Sequence, residues 1–136
     1  MSGLVLDASC ALAWCFEEEG GPDADALIDQ VAAVGALVPA LWPLEVANAL
    51  VVAERRGRIG RDDSLAFIAM LEDLPIAVDG GTAARAFHET IALARDHALS
   101  SYDASYLELA LRAKLPLATG DEALRRAAKR LGCEFR

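Results

Sequence analysis

Apolar positions along this chain follow two rhythms, short unbroken runs and longer stretches with helical spacing. Leu4-Val5-Leu6 is an unbroken run that stops at Asp7, and Ser9 to Phe16 is rich in helix formers, which predicts a buried strand feeding a short helix. Gly20-Gly21-Pro22 breaks the chain, and Asp23 opens an Ala/Leu/Ile-rich helix that Gly35 ends. Ala36-Leu37-Val38 predicts a second strand. Pro43 suits a first helical turn, and Val46, Ala49, Leu50 and Ala53 repeat at helical spacing until Arg55-Arg56-Gly57 supplies a basic last turn and a cap. A further helix runs from Gly60 to Asp73, Ile76-Ala77-Val78 predicts a third strand, and Ala83, Ala86, Phe87, Ile91 and Leu93 mark one longer helix. Beyond Ser100-Ser101, the stripe Tyr106, Leu107, Ala110 and Leu111 places Asp103 in a first helical turn. Leu115 to Thr119 then predicts a strand, Gly120-Asp121 a turn into a last helix, and Cys133 to Phe135 a possible edge strand.

Short apolar strands alternating with helices, without Asn-Gly hairpin signals, point to an α/β three-layer sandwich whose central parallel sheet is covered by helices on both faces. No repeat, low-complexity tract or linker divides the chain, so residues 1–136 are expected to form a single domain.

Composition narrows the classes. Hydrophobic residues make up 54% of the 136 and charged ones 25%, which excludes intrinsic disorder. Thirteen Lys and Arg against 21 Asp and Glu leave a net charge of −8, so a polyanionic partner must be met locally rather than by a basic coat. Cys10, Cys15 and Cys133 form no C-x-x-C pair, which argues against a disulfide framework and a thiolate zinc site and suits a reducing cytoplasm. Pro39, Pro43 and Glu45 interrupt the most apolar region, the charge-free part of which falls short of the ~18 residues of a membrane span. The N-terminus carries no visible signal peptide, and a cytoplasmic protein without a membrane partner is expected.

Four acids carry the candidate chemistry. In open α/β sheets the active crevice lies outside the carboxyl ends of the strands; Asp7 and Asp121 follow runs that end there, and Glu45 and Asp103 stand at helix beginnings. Each alone has a structural role open to it, Asp7 and Asp121 as helix caps and Glu45 and Asp103 as first-turn carboxylates favoured by the helix dipole. Together they would place about four negative charges in one cleft, which calls for cations or partial protonation. Carboxylate oxygens select hard cations, so Mg²⁺ or Mn²⁺ is the expected cofactor, with Ser9, Asn48 and Thr119 available to support the acids.

The segments Leu4-Val5-Leu6-Asp7-Ala8-Ser9, Pro43-Leu44-Glu45-Val46-Ala47-Asn48-Ala49-Leu50, Tyr102-Asp103-Ala104-Ser105-Tyr106-Leu107-Glu108-Leu109-Ala110 and Leu117-Ala118-Thr119-Gly120-Asp121 resemble, in order, the motifs of PIN-domain ribonucleases. The likeness is greatest to the VapC toxins of bacterial type II toxin-antitoxin systems and spans nearly the whole chain. It implies a metal-dependent endoribonuclease in which Asp7 and Asp103 are the principal ligands, Glu45 a ligand or water-orienting group and Asp121 a more peripheral ligand. Ser9, Asn48 and Thr119 match supporting positions. It also implies an RNA substrate, a cognate antitoxin and a homodimer, the last in keeping with a mean hydropathy of +0.28. By the charge argument, the antitoxin should bring a basic or Arg-containing segment to the acids.

The remaining polar residues are weaker signals. Arg55, Arg56, Arg58 and Arg61 near one helix end, and Arg125, Arg126, Lys129 and Arg130 on another helix, are either RNA phosphate contacts or a solvated face complementing the helix dipole. Trp14 and Trp42 read as packing residues rather than base-stacking platforms, and His88 and His97 as surface or packing residues. Two other functions stand beside this one. An acid at the end of a first strand fits a phosphotransferase or phosphatase with Asp7 as nucleophile, although no second Asp follows two residues on; the other is a non-catalytic PIN-like module that binds RNA or protein, against which the four acids speak.

Overall fold

The computed structural model describes residues 3–136. Strand β1 (Leu4–Leu6) lies inside a four-stranded, wholly parallel sheet in the order β3-β2-β1-β4, with β2 at Ala36–Val38, β3 at Ile76–Val78 and β4 at Leu117–Ala118. Val5 pairs with Leu37 on one side and Leu117 on the other. All three β1 side chains are inaccessible to solvent, which an unbroken apolar run requires of a strand flanked on both sides and covered on both faces. Burying each contributes about 1.5–3 kcal/mol, so an acid at Val5 would abolish folding.

Helices fill every crossover. Between β1 and β2 run α1 (Ala8–Leu12), a short 3₁₀ turn (Glu17–Glu19) and α2 (Pro22–Val34); between β2 and β3 run α3 (Trp42–Arg55) and α4 (Arg61–Asp73). The return from β3 to β4 uses α5 (Thr82–Arg85), a π-helical turn (Ala86–Thr90), α6 (Ile91–His97) and α7 (Ser101–Ala113), and α8 (Glu122–Arg130) follows β4. Helix α7 packs on β1, β4, α6 and α8 and is buried continuously from Ala104 to Ala110, a core helix rather than a half-exposed one. The path steps from β1 out to β3 and then returns past β1 to β4. The order therefore reverses between β1 and β4, the point where open α/β sheets form a crevice at the carboxyl ends of their strands.

Several expectations change in detail. The helix expected from Ser9 to Phe16 ends at Leu12, where hydrogen bonds tighten: Trp14 N–H donates to Ala11 O at 3.0 Å and Cys15 N–H to Leu12 O at 2.9 Å. The single helix expected across Ala83 to Leu93 is broken by the π turn, whose extra residue shifts the helical phase and leaves Phe87 85% exposed. The edge strand expected at Cys133 to Phe135 is a lone parallel bridge between Glu134 and Leu117. Coverage also thins at the sheet edge, where Val78 of β3 is exposed.

Candidate active site

Asp7 ends β1 as the chain turns into α1, and its N–H donates to Ala118 O of β4 at 3.0 Å, which fixes it in the reversal crevice. Its carboxylate is buried. Oδ2 accepts from Thr119 Oγ1 at 2.6 Å and from Ser9 Oγ at 3.0 Å, while among the described residues Oδ1 meets only the Ser9 N–H at 3.5 Å. Thr119 is the hinge of the arrangement: while donating to Asp7 it accepts from the Asp121 N–H at 3.0 Å. Asp121 in turn caps α8, Oδ2 accepting from the Leu124 N–H at 2.8 Å, and the Gly120 N–H donates to Ser9 Oγ at 3.3 Å. Asp7 and Asp121 are thus helix caps whose charges also act on Asp103 across the crevice, so capping does not conflict with a role there.

Asp103 enters from α7, whose first turn is set by Ser100: its hydroxyl accepts from the Asp103 N–H at 3.1 Å. Glu45 enters from the first turn of α3, where Pro43 fits because no helical donor is needed. Glu45 Oε1 accepts from the Tyr106 hydroxyl. Burial, then the charges of Asp121 and Asp7, raise the Asp103 pKa; burial raises that of Glu45 against the opposing Tyr106 bond, with Asp7 and Asp103 adding to the rise. Four acids from separate parts of the chain therefore feel one another across a single crevice.

Among the described residues none of the four forms an ion pair, and no three His, Cys, Asp or Glu side chains already enclose a metal-sized space. Donors among the described residues engage Glu45 only through Oε1 and Asp121 only through Oδ2, and none of them engages the Asp103 carboxylate. An all-oxygen donor set, fixed at one end and free at the other, fits the chemistry of a hard divalent cation.

Asn48 lies exposed on α3 one turn beyond Glu45 and, among the described residues, makes no hydrogen bond to the acids. Arg125 Nη2 donates to Thr119 O at 3.0 Å, and both Arg125 and Arg126 are exposed on α8. Arg55 and Arg56 are exposed at the end of α3, but Arg58 is engaged by Glu18 and Glu19 and stacks 4.2 Å from the centre of the Phe16 ring. Trp14 donates to Ala24 O at 3.0 Å and Trp42 is buried in the core, so both are packing residues. His88 is exposed and His97 lies beside Arg130.

Tyr106 is the site residue that sequence reasoning passed over. It falls on the apolar stripe of α7, and its ring is fully buried, but its hydroxyl reaches the acid edge, where it donates to Glu45 and accepts from the Ala8 N–H at 3.3 Å. A tyrosine in an otherwise apolar stripe, three residues after a site acid, was the available signal.

Comparison with known proteins decides the family. Residues 4–130 match the PIN domain. The chain belongs to the PIN-domain family. Within it, this PIN domain is VapC-like: it is 31% identical over 121 residues to Ribonuclease VapC3 of Pyrobaculum aerophilum, covering 89% of this chain and 91% of that one. The crystal structure of PAE2754, also from Pyrobaculum aerophilum, shares its fold with a TM-score of 0.61 at 24% identity, covering 93% of this PIN domain and 84% of the other chain. The three-layer α/β architecture expected from the sequence is the one observed. No helix among the described residues is long and apolar enough to cross a membrane.

Proposed function

We propose that this PIN domain is an endoribonuclease that hydrolyses RNA phosphodiester bonds with Mg²⁺ or Mn²⁺, and that it is the toxin of a toxin-antitoxin pair. The observation that carries this reading is the crevice itself, where burial and the charges of Asp7 and Asp103 raise the cost of ionising Glu45, burial and the charges of Asp121 and Asp7 raise that of Asp103, and no cation among the described residues pairs with any of the four. Asp7 and Asp103 would be the principal ligands, Glu45 a ligand or water-orienting group, and Asp121 a peripheral one. A bound ion supplies Lewis-acid activation of water and neutralises charge at the scissile phosphate. The chain's own part is positioning. Thr119 and Ser9 hold the Asp7 carboxylate, Tyr106 holds Glu45, and the α8 turn holds Asp121, so these three acids are set before substrate arrives.

Arg125, hydrogen-bonded to Thr119 O, and the exposed Arg55, Arg56 and Arg126 would meet RNA phosphates. Silencing such a crevice calls for a cation, and a guanidinium can engage two carboxylate oxygens at once, so the antitoxin is expected to insert an Arg-containing segment. A homodimer completes the reading.

The test is end-group analysis of RNA cleaved by the purified protein with Mg²⁺. Hydrolysis by activated water leaves a 5′-phosphate and a 3′-hydroxyl, whereas attack by the 2′-hydroxyl leaves a cyclic phosphate. Cyclic ends would overturn the mechanism, and binding of RNA without cleavage would favour a non-catalytic module.

A further inference from the structure

The Tyr106 hydroxyl joins three parts of the molecule. It accepts from the Ala8 N–H, where β1 turns into α1, and donates to Glu45 on α3, while its ring is locked within the buried face of α7. With its lone-pair side taken by Ala8, its proton has one direction left, toward Glu45 Oε1. Glu45 needs such a restraint. It lies half-buried on a flexible stem, repelled by Asp7 and Asp103, and a free carboxylate would swing outward to water.

We propose that Tyr106 is a positioning residue that holds the Glu45 carboxylate in the crevice against the repulsion of Asp7 and Asp103, leaving Oε2 to face a divalent cation. The role rests on the reading of the crevice as a cation site. It gives a buried aromatic residue of the core a part in cation affinity without contact with the cation.

Mn²⁺ binding to the purified protein by isothermal titration calorimetry tests it, with Asp7→Asn as the benchmark. Expected are binding by the wild type, loss in Asp7→Asn, and affinity weakened tenfold to a hundredfold in Tyr106→Phe, with thermal unfolding confirming that this variant is folded. Because Tyr106 acts through Glu45, adding Tyr106→Phe to Glu45→Ala should weaken binding no further. A Tyr106→Phe affinity within twofold of wild type, beside a lost Asp7→Asn site, would overturn the role of Tyr106 alone. So would a further loss in the Glu45→Ala background. Absence of binding by the wild type, or unchanged binding by Asp7→Asn, would overturn the cation reading and this proposal with it. Should Tyr106→Phe fail to fold, ¹³Cζ-labelled tyrosine decides on intact protein, the signal being assigned against Tyr102→Phe. The Tyr106 resonance should move on Mg²⁺ addition in the wild type and stay still in Glu45→Ala, and a resonance unmoved in the wild type would overturn the proposal.

Discussion

Helix α7 carries acids into two different settings. At its first turn Asp103 joins three other carboxylates whose protein partners are hydroxyls and backbone N–H groups. Farther along the same helix, Glu108 is almost fully buried against Arg112, with Nε–Oε2 at 2.7 Å, and lies 3.5 Å from the Arg85 Nε. Arg112 also forks onto Asp79 at 3.1 and 2.7 Å, tying α7 to the loop that follows β3. The electrostatic consequences are opposite. Hydrogen bonding to Arg112 holds the Asp79 carboxyl below the usual range, whereas burial and like charges push Glu45 and Asp103 above it. Acids given a guanidinium within the fold are balanced by it; acids given only neutral donors keep a mutual repulsion that protonation or an external cation relieves.

The largest effect expected from this contrast is on activity. Asp7→Asn and Asp103→Asn should each lower RNA cleavage at saturating Mg²⁺ by at least about a hundredfold while leaving the metal-free protein as stable as wild type or more so, since each relieves repulsion and Asn can still cap α1 at position 7. Cleavage rates near wild type in either variant would erase the distinction between the two acid systems.

Arg112→Met should do the reverse, costing stability rather than chemistry. Breaking a fully buried pair costs ~3–5 kcal/mol; Arg112 and Asp79 side chains are 26% and 18% exposed, so a loss of about 2–3 kcal/mol in denaturant unfolding is expected. A loss under about 0.5 kcal/mol would mark the network as no more than a surface feature.

Acid pH separates the systems next. Asp79 has a lowered folded pKa, so its contribution is present above the ordinary Asp value and is lost only as pH falls through the folded value. Asp103 has a raised folded pKa, so its ionised form destabilises the metal-free protein above that value and the penalty fades as pH falls toward the ordinary range. The stability advantage of Asp103→Asn should therefore shrink between neutral pH and the carboxylate range, while the deficit of Arg112→Met persists to lower pH. Thermal unfolding across pH without divalent ions reads both, and an Asp103→Asn advantage that grows on acidification would reverse the assigned sign.

The smallest effect belongs to Ser9. Its side chain is exposed and shares Asp7 Oδ2 with the closer Thr119 hydroxyl, so Ser9→Ala should cost no more than about 1 kcal/mol of stability. Denaturant unfolding would measure it.

Most of the architecture was legible because short apolar runs in a parallel sheet stop at a polar residue or a proline, as Leu6 does at Asp7 and Val38 at Pro39. The positions of Asp7 and Asp121 followed from that edge rule alone. Side-chain partnerships did not. Nothing in the spacing of Tyr106 distinguishes a ring that ends in the core from one whose hydroxyl emerges at the acids, because that depends on the depth at which α7 lies on β1. Arg58 was illegible for a related reason: a short 3₁₀ turn far back in sequence brings Glu18 and Glu19 to it. The π turn escaped because one inserted residue alters phase without altering composition.

The strand order has a consequence for synthesis. Asp7 is completed by Thr119, 112 positions later, and β1 acquires its β4 neighbour only when that segment exists. At about 5–20 residues per second, a ribosome takes roughly 6–22 s to travel between them, an interval in which the nascent chain holds Asp7 without the strand that seats it. The crevice is assembled by one of the most sequence-distant pairings in the fold and so is among the last features to be won in folding. Until β4 and the turn after it are made, the four acids cannot share one crevice, so whatever the crevice does begins only with a nearly finished chain.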